Sequence, residues 1–336
     1  MFMVNKKDQN KICVKPILRS LKDFTKLHLI PKSKLLSRFY SAYKNYHRWR
    51  WRRTEKKKIK IVQHRLLQPS SFFPLFNFIE IETQNKCNGT CSFCPVNRHI
   101  DPRPFRRMDE ALFDSILKQL KELSFCGFLS LFSNNEPLLD DRIEFFLGKA
   151  RKELPTVKLF LITNGTLLTT QLLDRLMPHL DRLIINDYVE TLEFTEHIKE
   201  INRYCRAKNF YEGKVIIYLR DKNAVLTSRG GNAPNKKVRR TTRVSCILPF
   251  IQFIVRSDGK ISLCCNDALA QFTLGDLTKE KILDVWNNKL FFEIRNKLFH
   301  QGRGSVFLCK RCDSITQHIN FFSNEGLFEN NLLHLN

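Results

Sequence analysis

The sequence predicts an α/β protein: a parallel sheet with helices outside it, either open or curved into a partial barrel. Two observations carry this. Between residues 76 and 220, short runs rich in β-branched and aromatic side chains alternate with longer stretches of helical periodicity, the order of repeated strand-helix units. The chain is also long and apolar enough to bury a real core, with 336 residues, 43% hydrophobic, and 28 Phe.

The elements follow in order. Residues 1 to 75 mix basic and apolar side chains at spacings that suit short amphipathic helices, and they hold 20 basic against 3 acidic groups. The whole chain has 57 Lys and Arg against 33 Asp and Glu, a net +24, so most of its basicity sits in this arm. Pro69, Ser70, Ser71 and Pro74 mark its end. Strand runs FNFIEIE, FLSLFS, VKLFLIT, DRLIIND and KVIIYLR then alternate with MDEALFDSILKQLKEL, DRIEFFLGKARKEL and QLLDRLMPHL. From about residue 225 the pattern changes to a Gly/Asn/Pro loop, a basic segment, a hairpin turning at Asp258-Gly259, a helix over KEKILDVWNNKLFFEIRNKLF and a final cysteine pair. This reads as a smaller appendix. The expected divisions are an arm (1–75), a core (76–230), a cysteine-bearing domain (231–320) and a tail (321–336).

Some function classes drop out at this level. No run of 18 apolar residues exists to span a bilayer. The start, MFMVNKKDQNKIC, lacks the apolar stretch and cleavage site of a secretory signal, so a reducing cytoplasm is expected. Eleven cysteines then call for chemistry other than disulfides.

Cys87, Cys91 and Cys94 form a C-x3-C-x2-C run directly after the first strand. Three thiolates from one tight loop suit a cubane iron-sulfur cluster with one iron left open to chelate a ligand, and Gly89 eases the loop around it. A zinc site with His99 as fourth ligand is the alternative. Cys246, Cys264, Cys309 and Cys312 read C-x17-C-x44-C-x2-C, with Cys265 beside the second. Four thiolates close a metal site completely, and spacing alone fits either structural zinc or a fully ligated cluster. Cys13, Cys126 and Cys205 read as ordinary thiols.

The first cysteine run, with Phe93 before its third cysteine, resembles the signature of the radical S-adenosylmethionine (SAM) superfamily. The resemblance covers roughly residues 76 to 320. It implies a partial (β/α)6 barrel, a site 4Fe-4S cluster on Cys87, Cys91 and Cys94, and reductive cleavage of SAM to a 5'-deoxyadenosyl radical that abstracts hydrogen from substrate. In the family's Gly-Gly-Glu segment, which holds the amino group of the methionine moiety, this chain has Asn134, Asn135 and Glu136. Asn tolerates left-handed backbone, so the loop is expected to survive the change. The segment TNGTLLT is similar to another recurrent family segment. Asn186, with Asp187 and Tyr188, lies where relatives contact ribose or substrate, and Arg229 is a candidate for contacting a substrate or cofactor carboxylate.

The segment from CILPF through DGKISLCCND to CKRC is similar to the SPASM extension in its truncated, twitch form. Twelve residues separate Cys246 from Gly259 and four separate Gly259 from Cys264. This implies one auxiliary 4Fe-4S cluster on Cys246, Cys264 (or Cys265), Cys309 and Cys312. The layout is similar to that of inosamine dehydrogenases, which oxidise a secondary alcohol of an aminocyclitol. Oxidation of a sugar or cyclitol alcohol is therefore expected. Radical cross-linking or epimerisation of a peptide, and a metal-stabilised nucleic-acid binder, are the alternatives. Expected partners are a small-molecule or carrier-linked substrate and an electron donor such as flavodoxin or ferredoxin. The arm suits an anionic membrane surface, and nucleic acid less well.

Overall fold

The computed structural model describes residues 75–191, 193–208, 213–243 and 245–314. The arm and the C-terminal tail lie outside these, apart from Leu75.

Seven strands form one sheet in the order β5-β4-β3-β2-β1-β6-β7. These are β1 (Phe78–Ile81), β2 (Phe128–Ser130), β3 (Lys158–Thr163), β4 (Arg182–Val189), β5 (Val215–Asp221), β6 (Gln252–Val255) and β7 (Ile261–Ser262). The first six run parallel and β7 is antiparallel to β6. The sheet does not close, leaving β5 at one edge and β7 at the other, which is the partial barrel that the sequence led us to expect.

Amphipathic spacing and local caps explain the helices. In α1 (Glu110–Glu122), Phe113, Ile116, Leu117 and Leu120 form one buried stripe, and the Asp109 carboxylate accepts from the N–H groups of Ala111 and Leu112. α2 (Ile143–Glu153) buries Ile143, Phe146, Leu147 and Ala150 at the same spacing. Thr169 caps α3 (Thr170–Leu176) and Thr195 caps α4 (Glu196–Ala207). α4 was missing from the sequence reading because only Ile198 and Ile201 are buried along it, too few for a legible stripe. The single long helix expected after residue 279 is two helices. α6 (Ile282–Trp286) ends at Asn287, and Asn288 caps α7 (Lys289–His300) by accepting from Phe291 N–H.

The hairpin turning at Asp258-Gly259 extends the sheet. β6 pairs with β1 over four residues, satisfying backbone groups that β1 would otherwise present as an open edge. Phe76 stacks on Phe253 at 4.7 Å and meets Trp286 edge-on at 5.2 Å, so α6 is fixed to the same core. The described residues of this body fall within 75–243 and Leu248–Ser314, and residues 245–247 group apart from it. The connection from β5 to β6 carries little helix: a 3-10 turn at Arg229–Gly231 and the short α5 (Leu248–Ile251). A final short helix, α8 (Phe307–Lys310), presents Cys309.

Candidate active site

The C-terminal ends of β1 to β4 carry the chemistry-bearing groups, as a parallel sheet of this kind dictates. After β1 the chain leaves through Gln84, whose amide donates to the carbonyls of Lys86 (2.9 Å) and Glu136 (2.7 Å). Glu136 N–H in turn donates to Lys86 O at 2.9 Å. The cysteine loop and the Asn134-Asn135-Glu136 loop are thereby joined just before Cys87.

Within the cysteine loop, Gly89 N–H donates to Cys87 Sγ at 3.3 Å. A Cβ at Gly89 would stand 3.3 Å from that same sulfur, so the glycine serves close approach of the thiol. Asn97 Nδ2 donates to the carbonyls of both Cys91 and Cys94 at 3.2 Å. Burial pushes the Cys87 and Cys91 thiols up to about 12, and the neighbouring cysteine charges push the same way. Such thiols stay protonated unless a positive centre draws them into ligation. Among the described residues, no group of three or more His, Cys, Asp or Glu side chains closes on a single metal ion. His99 is exposed, its ring beside Arg98.

Asn134 and Asn135 do not use left-handed backbone: among the described residues, the positive-φ non-glycine residues are Ser124, Arg229 and Ala270. They act through their side chains instead. Asn135 Oδ1 accepts from Ser133 N–H at 3.0 Å, and its Nδ2 is buried with no partner among the described residues. Asn134 N–H donates to Glu82 Oε1 at 2.8 Å, and Asn134 Oδ1 accepts from the Arg229 guanidinium. Glu136, expected to face the cofactor, is buried and engaged by the protein. Its carboxylate accepts from Thr163 Oγ1 (2.6 Å), Asn164 N–H (2.7 Å) and Leu138 N–H (3.1 Å). Burial raises it to about 7 against these donors. Three bonds leave roughly one of about four acceptor positions open.

A buried chain of polar groups was not read from the sequence. Arg229 donates to Asn134, Asn134 Nδ2 to Ser133 Oγ (3.3 Å), and Ser133 Oγ to Glu80 Oε2 (2.5 Å). Gln252 Nε2 donates to Glu80 Oε1 at 3.1 Å. Burial raises Glu80 to about 7, opposed by the Ser133 bond and the Arg229 charge. Arg103 reaches Glu82 at 3.6 Å, donates to the carbonyls of Asn85 (2.6 Å) and Asn134 (2.8 Å), and pairs with Asp101. The available signal was the glutamates in FIEIE: alternate positions in a strand buried on both faces place Glu80 and Glu82 on one side.

Arg229 comes from far along the chain. It has φ +48, and its Nε is buried without a partner among the described residues. Its turn is clamped by Ser228, which receives Asp313 N–H (3.2 Å), donates its hydroxyl to Arg311 O (2.8 Å) and donates its N–H to Asp313 Oδ1 (2.7 Å). Gly230 has φ +66, and a Cβ there would meet Leu308 at 2.5 Å. Phe93 is buried against Tyr188, ring centroids 5.7 Å apart. Burial and the Cys91 and Cys94 charges raise Tyr188. Asn186 accepts from Arg220 Nε at 3.1 Å. Asp187 is turned to other work, accepting from Thr195 N–H (2.8 Å) and Oγ1 (3.2 Å) at the start of α4. Cys264, Cys265, Cys309 and Cys312 are buried, as is Cys246. Asn266 Nδ2 donates to Cys265 Sγ at 3.8 Å.

An open parallel sheet with a three-cysteine loop after β1 defines a class, and comparison with known proteins agrees. The Radical SAM superfamily model matches residues 81–216, and an iron-sulfur cluster-binding (SPASM) domain model matches residues 246–313. The chain belongs to the radical SAM superfamily and is an oxidoreductase that uses SAM, a 4Fe-4S cluster and an auxiliary iron-sulfur cluster. It is similar to the S-adenosyl-L-methionine-dependent 2-deoxy-scyllo-inosamine dehydrogenase of Niallia circulans, 30% identical over 242 residues, which are 72% of this chain and 94% of the relative. The structure of BtrN in complex with AdoMet and 2-DOIA matches with TM-score 0.63 and 27% identity, covering 72% of this chain and 95% of that one. BtrN in an open conformation matches with TM-score 0.54 and 25% identity, covering 73% and 95%. Like other members, the enzyme needs a reductant, and among the described residues no helix is long and apolar enough to cross a membrane.

Proposed function

We propose that the enzyme oxidises a secondary alcohol of an aminocyclitol or related small sugar to the ketone, with Arg229 orienting the hydroxyl and Glu80 taking its proton. The observation that carries this is the Arg229–Asn134–Ser133–Glu80 chain, buried from Asn134 to Glu80 and half-buried at Arg229, which sets a fixed cation and a carboxyl raised to about 7 within one hydrogen-bonded system. A carboxyl poised near working pH is suited to accept a proton. When bound, SAM and the site cluster supply hydrogen-atom abstraction from the carbinol carbon, and the auxiliary cluster accepts the electron left behind.

On this reading Cys87, Cys91 and Cys94 hold the site cluster, and Cys246, Cys264, Cys309 and Cys312 hold the auxiliary one. Phe93, Asn134, Asn135, Glu136 and Asn186 line the SAM seat. The unpartnered Asn135 Nδ2 and Arg229 Nε supply donors for a polar ligand. A flavodoxin or ferredoxin delivers the electron, and the basic arm (1–75) holds the enzyme at an anionic membrane surface within the cytoplasm.

The test is anaerobic incubation of reconstituted enzyme with SAM, dithionite and 2-deoxy-scyllo-inosamine or neighbouring aminocyclitols, reading 5'-deoxyadenosine and ketone. Matched formation of both is expected. Deoxyadenosine without ketone from any cyclitol or sugar would overturn the substrate class.

A further inference from the structure

No acidic residue stands between Asp221 and Asp258, whereas residues 236–243 hold Lys236, Lys237, Arg239, Arg240 and Arg243. Lys236 pairs with Asp313 at 2.6 Å. The other four are exposed, and none has a carboxylate partner among the described residues. The segment is anchored at both ends. Asn235 Nδ2 donates to Ser92 Oγ at 3.1 Å, between Cys91 and Phe93 in the first cysteine loop. Thr241 Oγ1 donates to Lys310 O at 3.2 Å, between Cys309 and Cys312. Four unneutralised cations therefore span from one cysteine element to the other, with the first loop itself half-exposed at Cys87 and Cys94.

We propose that Lys237, Arg239, Arg240 and Arg243 form the docking ridge for an acidic one-electron carrier protein of the flavodoxin class, which serves both cysteine elements from one position. The proposal rests on the dehydrogenase reading. Cleaving SAM consumes one electron. Removing a hydrogen atom from the alcohol carbon and then the hydroxyl proton leaves one electron to discharge as the ketone forms. Each turnover thus takes in one electron and returns one, and a carrier bound beside both entry and exit handles the exchange without a second oxidant. Four exposed cations within the seven residues 237–243 match a charged protein face better than a single phosphate. Such a patch raises association rates by about 10- to 1,000-fold at low salt and loses that advantage as the Debye length falls below about 10 Å.

The test uses the full chain with reconstituted clusters and the K237E/R239E/R240E variant. Titration with an oxidised bacterial flavodoxin at low and high NaCl gives Kd directly, apart from turnover. Wild type is expected to bind about tenfold more weakly at high salt, and the variant about tenfold more weakly than wild type at low salt. Half-saturating flavodoxin in reductase-driven deoxyadenosine formation should rise in step, with the dithionite-driven rate unchanged. If the triple variant also slows with dithionite, the single reversals R239E and R240E decide, each expected to weaken flavodoxin binding about threefold with the dithionite rate intact. Equal Kd values for wild type and variants would overturn the ridge. So would intact flavodoxin binding alongside lost binding to RNA or phosphatidylserine vesicles. A wild type that binds flavodoxin yet yields no ketone would refute the dehydrogenase reading while leaving the Kd comparison decisive for docking.

Discussion

Glu80 and Glu136 show how burial, set against hydrogen bonds, can tune a site. Both carboxyls are raised from 4.5 to about 7 by desolvation, so each holds its proton more tightly folded than unfolded. Stability from this source is full below about 4.5 and is lost as pH rises through about 7. Thermal melts of the apoprotein should show it weakening over that window, less steeply in Glu80→Gln. Activity should run the other way. Glu80 must be ionised to take a proton, so ketone formation should rise through about pH 7, and Glu80→Gln should lose that rising limb in a pH profile. Arg229→Lys keeps the charge but not the fork that reaches Asn134. We expect KM for the alcohol to rise by about 10- to 100-fold, consistent with ~1.5–3 kcal/mol for a hydrogen bond to a charged group, with substrate-free deoxyadenosine formation little changed.

At the scale of elements, loops rather than strands decide the geometry, and one buried cation straps them together. Arg103 links Asp101 and Glu82, whose side chains are 2% exposed, to the carbonyls of Asn85 and Asn134. Arg103→Ala would leave buried Glu82 without its ion-pair partner and Asp101 with Lys86 alone at 3.4 Å, a loss of about 3–5 kcal/mol, read as a lower midpoint in urea unfolding. The Arg229 turn depends on backbone that a side chain cannot share: Gly230→Ala would place a Cβ at 2.5 Å from Leu308 in a left-handed conformation. Its destabilisation should reach about 1–3 kcal/mol and should lower ketone yield through the displaced Arg229.

For the whole molecule, the division of labour between the two cysteine sets is the feature to test. Cys91→Ala should abolish SAM cleavage. Cys309→Ala should leave deoxyadenosine formation while ketone disappears, with iron per chain falling by about half as each cluster holds four irons. Cluster loading should also release protons, because burial holds the Cys87 and Cys91 thiols up at about 12; a pH-stat during reconstitution would register the uptake of base.

The alternation of strand and helix, the cysteine spacings and the Asp258-Gly259 turn were legible because each is a local pattern: periodicity, ligand spacing and turn chemistry act over a few residues. They were enough for the parallel sheet and for two cysteine sets able to hold metal; the partial barrel and the iron-sulfur cofactors were implied by the resemblance to the radical SAM superfamily. Tertiary structure decided the rest, because it turns on partners distant in the chain. Whether Glu80 is a core oddity or a poised carboxyl depends on Ser133, Gln252 and Arg229. Glu136 is tied to Thr163 and Asn164, Asp187 is spent on holding α4, and the hairpin joins β1. Sequence specifies which groups a segment carries, but desolvation and charge depend on what the fold brings against them, and that is set only when the segments pack.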